Sequence, residues 1–207
     1  MSKQLEYQVN EIMKLTQKVK NETEYQNHIE YKKFKARNKK PLKVFRYLAN
    51  ALFAAKFHEE CIYWSNILFQ DLKVSDKEDR FTVFCMINFS YFNLNNYEKT
   101  LEYAQKCLDL GLKKPFSQIV DLYDVMRVSA SRLERFSEAS KYAKEMLKIH
   151  VTKYNEKQIT KHELLITYFN RIDLQIREGD INGARKTFRH LKIFNLNTSD
   201  PKGKHLS

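Results

Sequence analysis

The sequence contains very few of the residues that build tight turns. Only 4 glycines and 3 prolines occur among 207 residues, whereas average usage of the two together is roughly 12%. A β-rich chain needs many turns that favour these residues, so their scarcity argues against one. Long segments rich in Lys, Glu, Leu and Tyr instead favour an all-α fold.

Cysteine is scarce as well. Cys61, Cys85 and Cys107 are 24 and 22 residues apart, a spacing that fits neither a disulfide framework nor a set of zinc ligands. Each has apolar neighbours, so we interpret all three as small core residues. Unpaired thiols favour a reducing compartment, and we therefore expect the protein to be cytoplasmic.

Long apolar runs and enzymatic signatures are also missing. No run approaches the roughly 18 residues that cross a bilayer, and the first 15 residues contain no apolar segment typical of a secretory signal. There is no glycine-rich phosphate loop and no HExxH, GxSxG or CxxC motif. We expect no membrane association, no enzymatic activity, no cofactor and no metal.

The net charge of +12 is concentrated at the two ends of the chain. Residues 1–50 contain 12 Lys and Arg against 5 Asp and Glu, and residues 185–207 contain 6 against 1. Subtraction from the totals of 37 and 25 leaves 19 against 19 for the central part, which is neutral. A nucleic-acid surface on the central part is therefore not favoured.

The segment "LNNYEKTLEYAQKCLDLG", residues 94–111, predicts a helix that Asn95 and Asn96 open and Gly111 closes. Similar helices open at Phe57, Tyr97, Phe136 and Ile181, at intervals of 40, 39 and 45 residues. Three residues after the opener come Glu60, Thr100, Ala139 and Ala184, of which three are small; seven residues after it come Trp64, Ala104, Ala143 and Phe188.

A second amphipathic run precedes each of these helices, at residues 42–55, 81–94, 116–133 and 164–177. The unit is therefore a pair of helices joined by a tight turn. Recurrence at 20–50 residues is typical of solenoids, so we predict an α-solenoid of about four helix-turn-helix repeats. Leu5, Val9, Ile12, Thr16 and Val19 follow helical spacing and predict a helix that caps the array.

The runs "YFNLNNYEKTLEYAQKCLDLG" and "VSASRLERFSEASKYAKEMLKI" resemble the tetratricopeptide repeat. The resemblance covers roughly residues 41–195, although the spacing near 40 exceeds the 34 residues of the standard unit. We accordingly divide the chain into an N-terminal helical cap and basic linker at 1–40, a repeat array at 41–195, and a flexible tail at 196–207.

Such arrays bind peptides or protein segments in a concave groove lined by the first helix of each repeat. Carrying the register of the family over to this sequence, the resemblance implies a groove that changes from apolar to charged along the array. Asn88 and Asn170 lie close to the groove positions in this register and are included as candidate binding residues. The implied groove positions are Phe45, Ala49, Leu52 and Phe53; Cys85, Phe89, Phe92 and Asn93; Asp124, Val128, Ser131 and Arg132; and Phe169, Asp173, Ile176 and Arg177.

The resemblance also implies how the groove binds. The apolar end would receive apolar side chains, Arg132 and Arg177 would hold a carboxylate, and amides such as Asn93 would clamp a peptide backbone. The other interpretation of the aromatic residues is that they belong to the core between repeats. Arg127 lies where the family usually has a small residue.

The aromatic, Asn- and Lys-rich repeats are similar to the peptide-sensing receptors of Gram-positive bacteria and their phages, the Rap-, Rgg- and PlcR-like regulators and the arbitrium receptors. That resemblance implies a quorum-sensing or other regulatory protein that binds a signalling peptide. The first 40 residues lack the Gly-containing turn of a DNA-binding helix-turn-helix, so we expect a stand-alone sensor or an adaptor that works through a partner.

The alternative function is binding of nucleic acid or of an acidic partner through the basic segment Tyr31–Tyr47. Its cations alternate with aromatic residues, a mixture that binds phosphates and stacks bases; a solvated linker is the other interpretation. A third hypothesis is a homodimer whose seam is the apolar stripe of residues 5–19. The basic residues singled out are Lys32, Lys33, Lys35, Arg37, Lys39 and Lys40.

Overall fold

A computed structural model describes residues 49–50, 52–54, 56–71 and 76–197. Every regular element in these ranges is α-helical, which confirms the all-α class for the described residues. A short helical stretch at 49–50 and 52–54 precedes the longer helices. These are α1 His58–Asp71, α2 Lys77–Asn93, α3 Tyr97–Asp109, α4 Phe116–Arg132, α5 Phe136–Asn155, α6 Lys161–Glu178 and α7 Ile181–Asn197.

The chain divides into two compact units, Met1–Lys113 and Lys114–Ser207. In the first unit, α2 packs against both α1 and α3. In the second unit, α5 packs against α4 and α6, and α6 packs against α7. Within each unit, consecutive helices therefore pack against each other, as the predicted helix pairs require.

The helix starts follow ordinary capping chemistry. The Asp76 carboxylate accepts hydrogen bonds from the backbone N–H groups of Glu78 and Asp79, at 2.9 and 3.0 Å. Asn96 opens α3, as the sequence predicts, by accepting the Lys99 N–H at 3.2 Å. Thr160 opens α6 with a capping box. These side chains satisfy backbone donors that have no partner within the helix.

The turns inside the hairpins share one geometry. In the turn between α2 and α3, the N–H of Asn95 donates to the carbonyl of Phe92 at 3.0 Å, and the N–H of Asn96 donates to that of Tyr91 at 2.9 Å. This pair of bonds defines the Schellman motif, which requires a left-handed residue. That residue is Lys56, Asn95, Glu134 or Gly179 in the four turns, with φ of 63°, 57°, 59° and 86°.

The turn geometry corrects the predicted start of the first repeat. The N–H of Phe57 donates to the Leu52 carbonyl at 2.9 Å, which places Phe57 before α1, and the helix begins at His58. The small residue three positions into α1 is thus Cys61, which is fully buried, and not Glu60. Phe57 resembled a helix opener because it is large and apolar, yet its side chain is 42% exposed.

Small side chains lie in the core of the second helix of each hairpin. Thr100 and Ala104 of α3, and Ala139 of α5, are fully buried. The residue seven positions after the opener differs in α7, where Phe188 is 53% exposed and the neighbouring Thr187 is buried instead. Thr187 Oγ1 donates to Gln175 Oε1 of α6 at 2.8 Å, so its hydroxyl is satisfied inside the fold.

The core of the second unit includes an apolar cluster contributed by α5, α6 and α7. Leu147, Leu164, Tyr168 and Leu191 are its buried members, and Val151 packs against them. Beside the cluster, His150 Nδ1 lies 2.6 Å from Thr167 Oγ1, and burial lowers the pKa of His150. Thr167 is 3% exposed, so this pair joins α5 to α6 inside the fold.

Several predictions concern residues outside the described ranges. They include the helical cap and linker at 1–40, the apolar stripe at 5–19, the basic residues Lys32, Lys33, Lys35, Arg37, Lys39 and Lys40, and the groove position Phe45. The predicted tail starts at residue 196, but α7 continues to Asn197, and residues 198–207 lie outside the described ranges. Among the described helices, none combines the length and the apolar character that a membrane span requires.

Candidate functional site

The predicted groove residues of α2 divide between its surface and its core. Phe89 is half-buried, and its ring packs edge-on against the Phe53 ring, with centroids 6.5 Å apart. Asn93 is exposed, but its side-chain Nδ2 donates to the carbonyl of Phe89 at 2.7 Å. Cys85 and Phe92 are also half-buried. This face of α2 therefore combines aromatic surface with an amide already engaged by its own helix.

Asn88 does not lie on this face. Its side chain is fully buried, and its Nδ2 donates to the Thr100 carbonyl of α3 at 2.7 Å. The expectation that Asn88 contacts a ligand in the groove is therefore wrong. Neighbouring positions on a helix differ by 100° in direction, so Asn88 points into the hairpin while Phe89 stays on the accessible side.

The expected groove positions of the first repeat are also corrected. Ala49 is fully buried and Leu52 is 2% exposed, so both are core residues. Cys61 Sγ donates to the Ala49 carbonyl at 3.4 Å, which joins this stretch to α1. Such contacts are available only because the side chains at the crossing are small.

The groove residues of α4 carry charge, as the sequence predicts, but the acid is paired. Asp124 Oδ1 accepts hydrogen bonds from Arg127 Nη2 at 2.6 Å and Nε at 3.0 Å. Arg127 lies seven residues before the left-handed turn residue of its hairpin, as Asn88 does in α2. The Arg127 side chain is 17% exposed. The ion pair thus partly covers this large cation at the edge of the helix packing. Arg132 is exposed in the last turn of α4.

Large apolar side chains are exposed along one face of α6. Ile166, Phe169 and Ile176 are 45%, 55% and 54% exposed. They are three and seven residues apart, so they lie on one side of the helix together with Asp173. We call these four residues the α6 stripe. Exposed apolar side chains grouped in this way mark binding surfaces more often than isolated ones do.

Arg177, next to the α6 stripe, is not placed to share a carboxylate ligand with Arg132, as the resemblance implied. Arg177 Nε donates to Asp173 Oδ2 at 2.9 Å, and both side chains are more than half exposed. Arg177 also borders a shallow cavity of about 660 Å³ beside the turn between α4 and α5, whereas Arg132 does not line it. The two arginines that were expected to hold one carboxylate thus lie in different surroundings. Asn170 is half-buried beside the stripe.

A second cavity was not anticipated from the sequence. It lies where α5, α6 and α7 meet, and its lining includes Lys144, Lys148, Arg171 and Lys186. These cations come from three helices, and in the sequence each is one of many basic residues. Only their convergence distinguishes them, so no local pattern could have identified the site.

Comparison with protein-family models gives no match, and comparison with curated proteins gives none either. Among the described residues, no three His, Cys, Asp or Glu side chains are grouped so that they could hold a metal ion. The function therefore has to be argued from the surfaces themselves.

Proposed function

We propose that the chain is a non-enzymatic binding protein of tetratricopeptide-like architecture, which accepts a peptide or protein segment on the accessible faces of the first helices of its hairpins. The observation that carries the proposal is the α6 stripe. Ile166, Phe169 and Ile176 are each about half exposed to water. A ligand that covers this helix face would bury their apolar surface, which is energetically favourable.

Recurrence of the hairpin turn supports the repeat architecture. Inside the hairpins the left-handed residues are Lys56, Asn95, Glu134 and Gly179, at intervals of 39, 39 and 45 residues, and a further one, Lys157, closes the same kind of turn between α5 and α6. Each closes the same pair of backbone hydrogen bonds. With the first opener corrected to His58, a small residue lies three positions after the first residue of all four second helices: Cys61, Thr100, Ala139 and Ala184. This regularity favours one repeated unit of about 40 residues.

The chemistry of the α6 stripe indicates what its ligand presents. Phe169 and Ile176 are seven residues apart, which corresponds to about 10 Å along a helix. Asp173 lies between them and pairs with Arg177 just beyond Ile176, so the surface offers one charge of each sign. An amphipathic segment fits this surface if its apolar anchors recur at the same interval and its flanking side chains are polar. A regulatory role as a peptide receptor follows the resemblance to the peptide-sensing branch and is part of the proposal.

The test selects ligands first and then removes the stripe. Short peptides are selected from a displayed random library against the full chain, and their dissociation constants are measured by fluorescence anisotropy. The double variant Phe169→Ser/Ile176→Ser should bind the selected peptides at least about tenfold more weakly, because two apolar anchors are lost. Both side chains are exposed, so circular dichroism should show an unchanged helix content.

Phe188→Ser provides the matched control, because Phe188 is equally exposed but lies on α7. It should leave peptide binding unchanged. The proposal fails if the library yields no specific peptide, or if the double variant binds the selected peptides as tightly as the wild type does. Sedimentation of the wild type tests the competing occupant, a second copy of the chain: loss of dimerisation in the double variant would assign the stripe to self-association instead.

A further inference from the structure

The cavity between α5, α6 and α7, here the α5–α7 cavity, has a volume of about 740 Å³. This size lies in the range of small-molecule sites, about 300–1,000 Å³. Its α6 residues, including Arg171 and Gln175, alternate with those of the α6 stripe. Arg171 is two residues from both Phe169 and Asp173, about 160° round the helix from each. The cavity is therefore separate from the proposed peptide-binding surface.

Positive charge dominates the lining of the α5–α7 cavity. Lys144, Lys148, Arg171 and Lys186 contribute four cations, and Asp180 is the one acid in the lining. Part of this charge is already compensated, because Lys148 Nζ lies 2.7 Å from Glu145 Oε1. The remaining excess of cations favours an anionic ligand.

Asp180 is committed to the backbone of its own turn. Its Oδ1 accepts the Gly183 N–H at 2.8 Å, and its Oδ2 lies 3.4 Å from Gln175 Nε2. A Cβ at position 183 would come within 1.9 Å of Asp180 Oδ2 and 2.5 Å of Gln175 Nε2, so a larger residue would displace these side chains. The carboxylate is thus held at the start of α7, where it caps the helix.

The environment of Arg171 is the main evidence for an anionic ligand in this cavity. Its side chain is half-buried, and its Nε is buried without a hydrogen-bond partner among the described residues. Burial lowers the pKa of Arg171, and the carboxylates of Asp180 and Glu145 oppose this only through their charge at a distance. A guanidinium donor removed from water without an acceptor is costly. Among the described residues, no carboxylate makes a hydrogen bond to this guanidinium, so an anion in the cavity would be the direct partner of its charge.

We propose that the α5–α7 cavity binds a small organic molecule that carries phosphate. A phosphate group accepts several hydrogen bonds at once, which suits the planar fork of Arg171 with Lys144 and Lys186 around it. Leu147 and Tyr168 give the same cavity an apolar wall, which accommodates the organic part of the ligand. This site goes beyond the peptide-binding function and does not depend on it.

Isothermal titration calorimetry of the full chain tests the proposal with pyrophosphate as the probe and citrate as a phosphate-free polyanion. Pyrophosphate should bind saturably at one site, more tightly than citrate, and its affinity should fall with added salt. Arg171→Gln and Lys186→Gln should each weaken binding about tenfold or more, because each removes a charged donor. Lys144→Gln, at an exposed position, provides a third variant whose folding is not at risk.

Lys192→Gln is the matched control, since Lys192 is an exposed cation of α7 that does not line the cavity. It should bind pyrophosphate as the wild type does. Equal weakening by Lys192→Gln, equal affinity for citrate, or no saturable binding up to about 10 mM would each overturn the proposal. Phe169→Ser/Ile176→Ser should retain pyrophosphate binding, so failure of the peptide proposal can be distinguished from failure of this one.

Discussion

Burial determines the chemistry of single residues in this protein, and the cysteines show how. Cys61 and Cys107 are buried, whereas Cys85 is half-buried on α2. The Sγ atoms of Cys85 and Cys107 are 3.7 Å apart. The hydrogen bond with Cys85 and burial both raise the pKa of Cys107, and burial raises the pKa of Cys61. The scattered cysteines are thus core or near-core residues, and two of them share a contact across the α2–α3 hairpin.

We expect iodoacetamide to modify Cys85 before the other two cysteines. The thiolate is the reacting form, and a raised pKa keeps Cys61 and Cys107 protonated at neutral pH, where burial also blocks access. Peptide mapping by mass spectrometry over time measures the three rates in the native protein. Denaturant should equalise the rates, which provides the control. Native-state labelling of Cys107 at the rate of Cys85 would contradict the described packing.

At the scale of helices, the residues at the helix ends determine where one helix stops and the next begins. The capping box of α6 is one example: the N–H and hydroxyl of Thr160 each donate to Glu163 Oε2 at 2.7 Å, and Thr160 Oγ1 accepts the Glu163 N–H at 3.2 Å. The left-handed turn residues are the other example. Glycine takes that conformation freely at position 179, whereas Glu134 adopts it at a steric cost that the hairpin packing offsets.

The capping box predicts a pH-dependent stability difference between the wild type and Glu163→Gln. Hydrogen bonds from Thr160 lower the pKa of Glu163, so the folded value lies below the unfolded value of about 4.3. The stabilisation is present above the unfolded pKa and is lost as the pH falls through the folded pKa. Urea unfolding should therefore show the wild type more stable at pH 7, and the two proteins should converge below about pH 4.

Glu156→Gln is the control for this comparison, because Glu156 is exposed near α6 but belongs to no capping box. It should change the stability little at pH 7, because the exposed ion pair that it removes, with the Lys153 ammonium of α5 at 2.7 Å, typically contributes less than about 1 kcal/mol. A stability difference between the wild type and Glu163→Gln that stays constant from pH 7 to about pH 3 would contradict the role assigned to the cap.

At the scale of the whole molecule, the described helices belong to two compact units. The first unit contains Trp64, the only tryptophan, which is 6% exposed. The second unit contains both the α6 stripe and the α5–α7 cavity. Binding of a peptide or of a phosphate compound should therefore stabilise chiefly the second unit.

This division predicts that Ala104→Leu destabilises the first unit selectively. Ala104 is fully buried in α3, and an overpacked core typically costs about 1–3 kcal/mol. The unfolding midpoint reported by Trp64 fluorescence should fall. Hydrogen exchange measured by mass spectrometry should accelerate in peptides from 77–109 and remain unchanged in peptides from 161–191.

Gln105→Leu is the matched control, because the adjacent Gln105 side chain is exposed; it should change stability by less than about 0.5 kcal/mol. Equal acceleration of exchange in both units in Ala104→Leu would mean that the chain unfolds as one cooperative body. That result would contradict the division.

Much of the secondary structure could be read from the chain itself. Asn96 is an N-cap in the sequence and in the fold, and the predicted run at 116–133 agrees with α4 to within one residue. The predicted start of the second helix in the first repeat is one residue too early. The reason is that Lys56 gives no sequence signal of a left-handed turn, and that Phe57 resembles the first residue of a helix. An error of one residue rotates a helix by 100°. The prediction for Asn88 is wrong for a different reason: it lies next to Phe89 in the chain, but adjacent residues of a helix point 100° apart, and Asn88 is buried.

Local properties of the sequence by themselves determined the all-α class, the helix pairs and their recurrence, because capping and helical periodicity act within a few residues of the chain. Tertiary packing alone decided which face each helix exposes. It buried Asn88 and Thr187, left Phe169 and Ile176 in solvent, and brought the cations of three helices around one cavity. Such outcomes depend on contacts between segments that are far apart in the chain. The energies of these contacts cannot be read from a local sequence pattern.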